Sequence, residues 1–376
     1  MANQHRALGR WPLAIGSWQP KRPGLSFCLA FLAGVGAAIP AQTLRSPVPT
    51  EPIPALVAAL QAHAVVGLSV GGPHDVARAD DLVLSLLRDS GFLATANDLI
   101  VEATSARFQD VMDRYVNGLP VADEEIRGVW DETTQQQIPG PIWRGRVPAM
   151  YRAVRDVNAT RPPERRLRIL LGDPPIDWAA VETAADFQTW LAQRDSFPAD
   201  LLQREVIARG RRAVVLFNSG HLQRKNQLSN YEMTDPLAQT VVSLIEAAGT
   251  PTFVVRTAGD SRTPGQGFGI EGWPVPSLAL IRSTSLGALD EPSPPGSRMM
   301  VRDGRLAPVP REAWRSISLE SQIDAVLSLG PPVPSPAPEA SAICADKAYA
   351  RIRLQRMRLV RLPPAIVDGF RALCSL

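Results

Sequence analysis

The sequence predicts an α/β fold with a mostly parallel sheet flanked by helices, followed by a Pro-rich linker and a C-terminal helical tail. Two observations lead to this prediction. Short apolar runs typical of buried strands alternate along the chain with longer segments of helical spacing. The composition also allows a large core, because apolar residues make up 45% of the 376 residues and charged residues only 20%.

Six short apolar runs are predicted as strands, most of them ending in a glycine-containing or polar turn. In chain order they are 64–70, 98–102, 168–171, 213–217, 252–256 and 277–281. A further segment, 299–309, is interrupted by Asp303-Gly304, and this predicts a β-hairpin. Because helices separate the six strands, the expected pairing is parallel with right-handed crossovers.

The segments between the strands carry apolar residues three or four positions apart, which is the pattern of a helix that packs on a sheet. Phe108, Met112 and Tyr115, for example, fall on one face of the segment 105–115. The predicted helices are 77–87, 105–115, 123–130, 149–158, 178–191, 198–208 and 236–248.

Residues 1–41 are predicted to be an export signal. Lys21 and Arg22 close a basic leader, 25–38 is an apolar run, and 39–41 resembles a small-residue cleavage site. We therefore expect a periplasmic or secreted protein, with an uncleaved anchor as the alternative. This segment holds four cationic residues and no acid, so its removal lowers the formal charge from +3 to −1. The basic pI therefore does not indicate nucleic-acid binding.

The expected organisation after the signal is an α/β domain at 42–330, a stiff Pro-rich linker at 331–340 and a basic helical tail at 341–376. The tail is expected to be solvated or to dock on the protein. Contact with anionic lipid is the alternative, so membrane contact is expected only through this tail or the N-terminal segment. Cys344 and Cys374 remain once Cys28 leaves with the signal, and a disulfide or two free thiols are both open.

Reactive side chains fall where predicted strands end. His74 follows the first strand, Glu102 closes the second, Asp173 follows the third and His221 follows the fourth. In an open parallel sheet, ligands bind outside the carboxyl ends of the strands. Glycines, which permit sharp turns and close backbone approach, precede three of these residues. Gly71 and Gly72 precede His74, Gly172 precedes Asp173, and Gly220 precedes His221.

Two imidazoles and a carboxylate that meet in a cleft can bind a divalent metal or act as an acid–base set without one. We predict His74, Glu102 and His221 as catalytic residues, and the same three as ligands if a metal is bound. Asp173 has the alternative role of capping the turn before Pro174. Glu102 lies in an apolar strand, where an unpaired carboxylate is costly, so we expect a buried partner such as Arg107 or a histidine.

Several stretches within roughly residues 60 to 260 are distinctive, namely Val65-Val66-Gly67-Leu68, Gly71-Gly72-Pro73-His74, the segments 97–102, 106–110, 113–115 and 170–178, and Gly220-His221-Leu222. Together they resemble bacterial proteins of the Tiki, ChaN-like and erythromycin-esterase-like superfamily.

The resemblance implies an α/β core with two Gly-x-x-His motifs and a glutamate in one cleft. Members of the superfamily include metal-dependent proteases, macrolide esterases and haem-binding lipoproteins. Gly71 and His74 match the first motif, Glu102 matches the glutamate and His221 matches the second histidine. The chain departs from the pattern at Asn218, where glycine is usual, and at Gly72, where many members have glutamate. The second departure weakens the case for metal binding and catalysis.

Other motifs fit less well. The segment 67–71 matches the G-x-S-x-G pattern around Ser69, but Gly72-Pro73 prevents the helix that a nucleophile elbow needs. The glycines at 265, 267 and 269 open no helix, so they do not form a phosphate cradle. Ser219, two residues before His221, is a further candidate nucleophile.

Two classes of function remain open. The first is an exported hydrolase of a small-molecule or peptide ligand that uses His74, Glu102 and His221. In this hypothesis Arg107 holds Glu102 in place, and the supporting residues are Asp173, Gly71 and Gly220. The second is a protein that binds haem or another small ligand through a histidine, or a scaffold that has lost its activity. The cofactor is left open between a divalent transition metal, haem and none.

Overall fold

The computed structural model describes residues 44–69, 76–135, 147–224, 239–258, 268–290, 299–302, 305–308, 317–330 and 344–376. The predicted signal at 1–41 and the linker at 331–340 lie outside these residues. Within them, seven strands form one sheet and two form a separate hairpin. The strands are, in chain order, β1 (Val65–Ser69), β2 (Asp98–Ser105), β3 (Arg168–Asp173), β4 (Ala213–Phe217), β5 (Thr252–Thr257), β6 (Ser277–Leu280), β7 (Met299–Arg302), β8 (Arg305–Pro308) and β9 (Ala325–Ser328).

The order of strands in the sheet is β3-β2-β4-β1-β5-β9-β6. The first six of these strands run parallel, and β6 pairs antiparallel with β9 at the edge. The remaining two strands, β7 and β8, form the antiparallel hairpin predicted around Asp303-Gly304. The predicted fold class, a mostly parallel sheet flanked by helices, is confirmed.

The helices of the described residues alternate with the strands over most of the chain. They are α1 (Pro52–Ala62), α2 (Val76–Leu86), α3 (Ser90–Thr95), α4 (Gln109–Val116), α5 (Asp123–Asp131), α6 (Val147–Ala159), α7 (Ala184–Leu191), α8 (Ser196–Glu205), α9 (Val241–Ala247), α10 (Lys347–Leu359) and α11 (Pro364–Leu373). None of the described helices is both long and apolar enough to cross a membrane.

The sheet is covered on both faces by apolar side chains. Val66 and Leu68 of β1 belong to one cluster, which contains Tyr151 of α6. Val65 belongs to a second cluster, which contains Ile245 of α9. Because successive residues of a strand point to opposite faces, burial of both faces explains why the strands are continuous apolar runs rather than alternating ones.

Several elements differ from the prediction in length or were not predicted. The second strand continues to Ser105 and the third to Asp173, so the polar residues at 102 and 173 lie within strands. The helix predicted at 105–115 begins at Gln109, after a short 3₁₀ turn. Helices α1 and α3 and strand β9 were missed, whereas α11 lies within the tail that was predicted to be helical. The six residues of α3 and the four of β9 are too few for a periodicity to show.

The C-terminal helices form a hairpin that docks on the α/β core. A disulfide joins Cys344, before α10, to Cys374, after α11. Val360, just beyond α10, is buried in a cluster with Trp178 and Phe187 of the core. The tail is therefore docked rather than solvated, and the disulfide is the alternative that the structure contains.

We expect a double variant with Cys344→Ser and Cys374→Ser to be less stable than the wild type. The cysteines are 30 residues apart, and closing a loop of that length stabilises a fold by about 3–4 kcal/mol through the lower entropy of the unfolded chain. Urea unfolding of the purified protein measures the loss, and wild type treated with a reductant should match the variant. Equal stability of the variant and the oxidised wild type would contradict this expectation.

Candidate active site

The candidate site lies at the carboxyl edge of three neighbouring strands, β3, β2 and β4. Glu102 is in the last half of β2, Asp173 is the last residue of β3, and His221 is in a 3₁₀ turn directly after β4. Nε2 of His221 lies 3.5 Å from Oε1 of Glu102. The structure thus brings these two predicted residues together, whereas His74, Gly71 and Gly72 lie outside the described residues.

Glu102 is a buried carboxylate, 5% exposed, with three hydrogen-bond donors. Oε1 accepts from Nη2 of Arg194 and from Nε2 of Gln135, both at 3.0 Å. Oε2 accepts from the backbone N–H of Asn218 at 2.5 Å. The expected charged partner therefore exists, but it is Arg194 and not Arg107, which pairs with Asp177 at a half-exposed position.

An irregularity in β2 accompanies this placement of Glu102. The next residue, Ala103, has a φ of 54°, in the left-handed region that favours glycine, and the register between β2 and β3 shifts between Val101 and Ser105. Opposite it, a Cβ on Gly172 would lie 2.8 Å from the carbonyl oxygen of Val101 and 2.6 Å from the ring of Phe217. The strands approach so closely here that glycine is required at 172. Strained backbone of this kind is common at functional sites.

His221 is oriented by Asp195. Nδ1 of the imidazole lies 2.8 Å from Oδ1 of Asp195, which also accepts the N–H of Val241 at the start of α9. An ionised carboxylate only accepts hydrogen bonds, so this contact places the hydrogen on Nδ1 and leaves the lone pair on Nε2. The side chain of His221 is 16% exposed, and its Nε2 faces the Arg194–Glu102 pair.

Arg194 connects the carboxylate to the imidazole. Its Nη2 lies 3.0 Å from Oε1 of Glu102 and 3.3 Å from Nε2 of His221. Glu102, Arg194, His221 and Asp195 therefore form a chain in which each charged or polar group meets one of complementary character. Sequence reasoning missed Arg194, Asp195 and Gln135, although the first two stand directly before α8 on a loop at the carboxyl edge of the sheet.

Asp173 contacts Thr134, the residue before the Gln135 that donates to Glu102. Its carboxylate is 3% exposed and accepts from the N–H and from Oγ1 of Thr134, both at 2.6 Å. Asp173 therefore binds the segment after α5 and does not cap the turn before Pro174, as the alternative hypothesis had it. Burial raises the pKa of Asp173 to about 6, against the lowering effects of the Arg194 charge and the Thr134 hydrogen bonds.

The two serines considered as nucleophiles find no support in the described geometry. Oγ of Ser219 is buried without a hydrogen-bond partner among the described residues, so His221 does not take its proton there. Ser69 ends β1, and the residues that would build an elbow after it lie outside the described residues. The glycines at 265 and 267 also lie outside them.

The described part of the site does not fit a divalent metal. Among these residues, no group of three His, Cys, Asp or Glu side chains is placed to hold one. Both oxygens of Glu102 are engaged by donors, and the guanidinium of Arg194 lies beside the atoms of Glu102 and His221 that would be ligands. A cation placed there would meet a fixed positive charge.

No protein-family model matches the chain, and no curated protein matches it. Similar solved structures include a succinoglycan biosynthesis protein, with 9% identity, coverage of 77% of this chain and 95% of that chain, and a TM-score of 0.48. A mutant of erythromycin esterase EreC in its open conformation has 12% identity, coverage of 74% and 93%, and a TM-score of 0.41. ChaN of Campylobacter jejuni, in a structure with cofacially bound haem, has 12% identity, coverage of 55% and 85%, and a TM-score of 0.34.

Two of these structures, the esterase and ChaN, are of the kinds named in the sequence resemblance. Identity and TM-score are both low, so these likenesses carry no argument about what the chain does. The function must be inferred from the site itself.

Replacing Asp173 should change how stability depends on pH. A folded-state pKa of about 6 lies above the unfolded value of 3.8. The favourable contribution of the protonated acid is therefore complete below the unfolded pKa and is lost as the pH rises through about 6. Two pKa units correspond to roughly 3 kcal/mol. The free energy of unfolding of Asp173→Asn, relative to that of the wild type, should accordingly rise by about 3 kcal/mol as the pH is raised from 3.5 to 7.

Urea unfolding at several pH values measures this difference. Asp177→Asn is the matched control. Its free energy of unfolding relative to the wild type should change with pH in the opposite direction, because the hydrogen bond from Arg107 lowers the pKa of Asp177. A difference between Asp173→Asn and the wild type that stays constant with pH would show that Asp173 is not the buried acid described here.

Proposed function

We propose that the chain is an exported hydrolase that cleaves an acyl bond, such as that of an ester or lactone, in a small molecule or peptide. The observation that carries this proposal is the 2.8 Å contact between Nδ1 of His221 and Asp195, which directs Nε2 toward the Arg194–Glu102 pair. This arrangement provides an oriented base beside a fixed positive charge, which are two components that acyl hydrolysis needs.

In the proposed reaction, Nε2 of His221 takes a proton from a water molecule as the water oxygen attacks the carbonyl carbon. Asp195 holds the imidazole in the required tautomer and stabilises the imidazolium that forms. The guanidinium of Arg194 is the donor nearest Nε2, so it stabilises the negative charge that develops on the carbonyl oxygen. The bond to the leaving group then breaks, and the imidazolium returns its proton to that group.

Glu102 has a positioning role in this proposal. It is held by Arg194, Gln135 and the Asn218 amide, so its own oxygens are occupied. It fixes the guanidinium in place and offsets its charge. The sequence-based proposals of an exported protein and of a small-molecule or peptide substrate are retained. The disulfide between Cys344 and Cys374 supports export, because such bonds persist in oxidising compartments.

Replacing His221 should abolish most of the activity. We expect His221→Gln to lower kcat/KM for p-nitrophenyl esters or lactones by about 10²–10⁴-fold, the usual contribution of a general base. His63→Gln is the matched control, because His63 precedes β1 at the opposite edge of the sheet and its ring lies tilted against that of Phe253, with the ring centres 5.7 Å apart. Full activity of His221→Gln would refute the proposal, as would the absence of turnover by wild type on esters, lactones and peptides.

Removal of metal should leave the hydrolysis unchanged. Because Arg194 lies where a cation would be needed, dialysis against EDTA or 1,10-phenanthroline should change kcat/KM by less than about twofold, an expectation that rests on the repulsion between like charges. Initial rates before and after dialysis provide the test. Loss of activity that added Zn²⁺ restores would show that a metal takes part.

A further inference from the structure

A short loop segment links the C-terminal hairpin to the candidate site. Arg356 of α10 donates through Nη2 to both carboxylate oxygens of Glu132, at 2.8 and 2.7 Å, and through Nη1 to the carbonyl oxygen of Asp131 at 3.1 Å. These contacts fix the start of the segment 131–135, which begins at the last residue of α5. The side chain of Arg356 is 11% exposed and that of Glu132 is 30% exposed, so the arginine end of the ion pair is shielded from solvent.

Trp178 holds the same segment from a second side. The guanidinium carbon of Arg356 lies 4.6 Å from the centre of the Trp178 ring, and Nε1 of Trp178 donates to the carbonyl oxygen of Thr133 at 3.1 Å. Arg356 is thus held between a carboxylate and an aromatic face, a geometry that suits the planar guanidinium and not the ammonium of lysine.

The next two residues of the segment reach the site itself. Thr134 donates its N–H and its hydroxyl to Asp173, and the side chain of Gln135 donates to Oε1 of Glu102. Within five residues the chain therefore passes from the contact with Arg356 to the carboxylate that holds Arg194.

Residues next to Arg356 fix the position of α10 within the hairpin and on the core. Met357 is fully buried in the hairpin's own apolar cluster, which the disulfide closes, and Val360 is buried in the core cluster around Trp178. A cleft of about 530 Å³ lies beside this contact and is lined by Glu132, Trp178 and Arg356 together with Ile352 and Gln355. Arg356 thus joins the hairpin to residues 131–132 at the wall of this cleft.

We propose that Arg356 is a positioning residue for the site: it fixes residues 131–135 and thereby holds Gln135 on Glu102, so that the C-terminal hairpin completes the catalytic arrangement. The catalytic part of this inference rests on the hydrolase function proposed above. The structural part does not, because it concerns the order of the segment itself.

The structural part is tested by amide hydrogen exchange in Arg356→Gln. Arg358→Gln is the matched control, because Arg358 is exposed on the same helix and the chemical change is identical. We expect the N–H of Thr134 to exchange at least about tenfold faster in Arg356→Gln and at the wild-type rate in Arg358→Gln, as local opening without global unfolding predicts. The amides of β4 should keep their wild-type rates in both variants and so report an intact core.

If Arg356→Gln fails to fold, Glu132→Gln removes the same contact from the other side and should give the same faster exchange. The N–H of Thr134 should also exchange faster in Arg356→Lys, because one ammonium cannot contact Glu132 and the Asp131 carbonyl as Nη2 and Nη1 do while also covering the Trp178 ring with a planar group. An unchanged rate at Thr134 in folded Arg356→Gln or Glu132→Gln would overturn the proposal, whatever the activity.

The catalytic part is tested by kinetics on the same variants. We expect Arg356→Gln to lower kcat by about tenfold with KM changed less than twofold, which is the pattern of a misplaced catalytic group rather than of lost substrate binding. The double variant with Glu132→Gln should lose no more than Arg356→Gln alone, because the two residues act as a unit. Faster exchange at Thr134 with unchanged kcat would overturn the positioning role. Wild type without hydrolase activity would refute the proposed function, while the exchange experiment would still decide the structural part.

Discussion

The burial of the Glu102 carboxylate is the constraint on which the rest of the site depends. A carboxylate inside an apolar sheet is costly unless donors surround it. It accepts hydrogen bonds from the side chains of Arg194 and Gln135 and from the backbone N–H of Asn218, and each donor comes from a different loop at the carboxyl edge. Satisfying one buried acid therefore brings together three segments that are far apart in the sequence.

The same convergence gives the site its chemical character. Arg194 and Asp195 are adjacent in the chain, yet the first meets Glu102 and the second meets His221. The carboxylate of Glu102, the guanidinium of Arg194, the imidazole of His221 and the carboxylate of Asp195 thus follow one another. Each group is stabilised by a neighbour of complementary charge or hydrogen-bonding character. The imidazole lies between a fixed cation and an orienting carboxylate, which is an arrangement suited to moving a proton. A buried ion pair of this kind is a weak source of stability, which agrees with the catalytic role proposed for this site.

The sequence predicted the edge of the sheet where the site lies, but not the partners that complete it. Glu102, Asp173 and His221 could be found because parallel strands place their carboxyl ends at one edge, and this rule needs only the order of strands and helices. Arg194 could not be found, because its contact depends on the path of the loop before α8. Arg107 was the nearer choice along the chain, yet after the irregularity at Ala103 it pairs with Asp177. The docking of Arg356 was also hidden, because a run of basic residues looks alike whether its members are solvated or buried.

The protonation of the His221 ring tests the central claim most directly, namely that Asp195 orients the imidazole and keeps the hydrogen on Nδ1, so that Nε2 carries the lone pair of the proposed base. Two-dimensional ¹⁵N NMR of the histidine rings, recorded at a pH at which the ring is neutral, shows which nitrogen carries the hydrogen. We expect it on Nδ1 in the wild type, and we expect Asp195→Asn to weaken that preference. A hydrogen on Nε2 in the wild type would contradict this account, since the atom assigned as the base would then be unable to accept a proton.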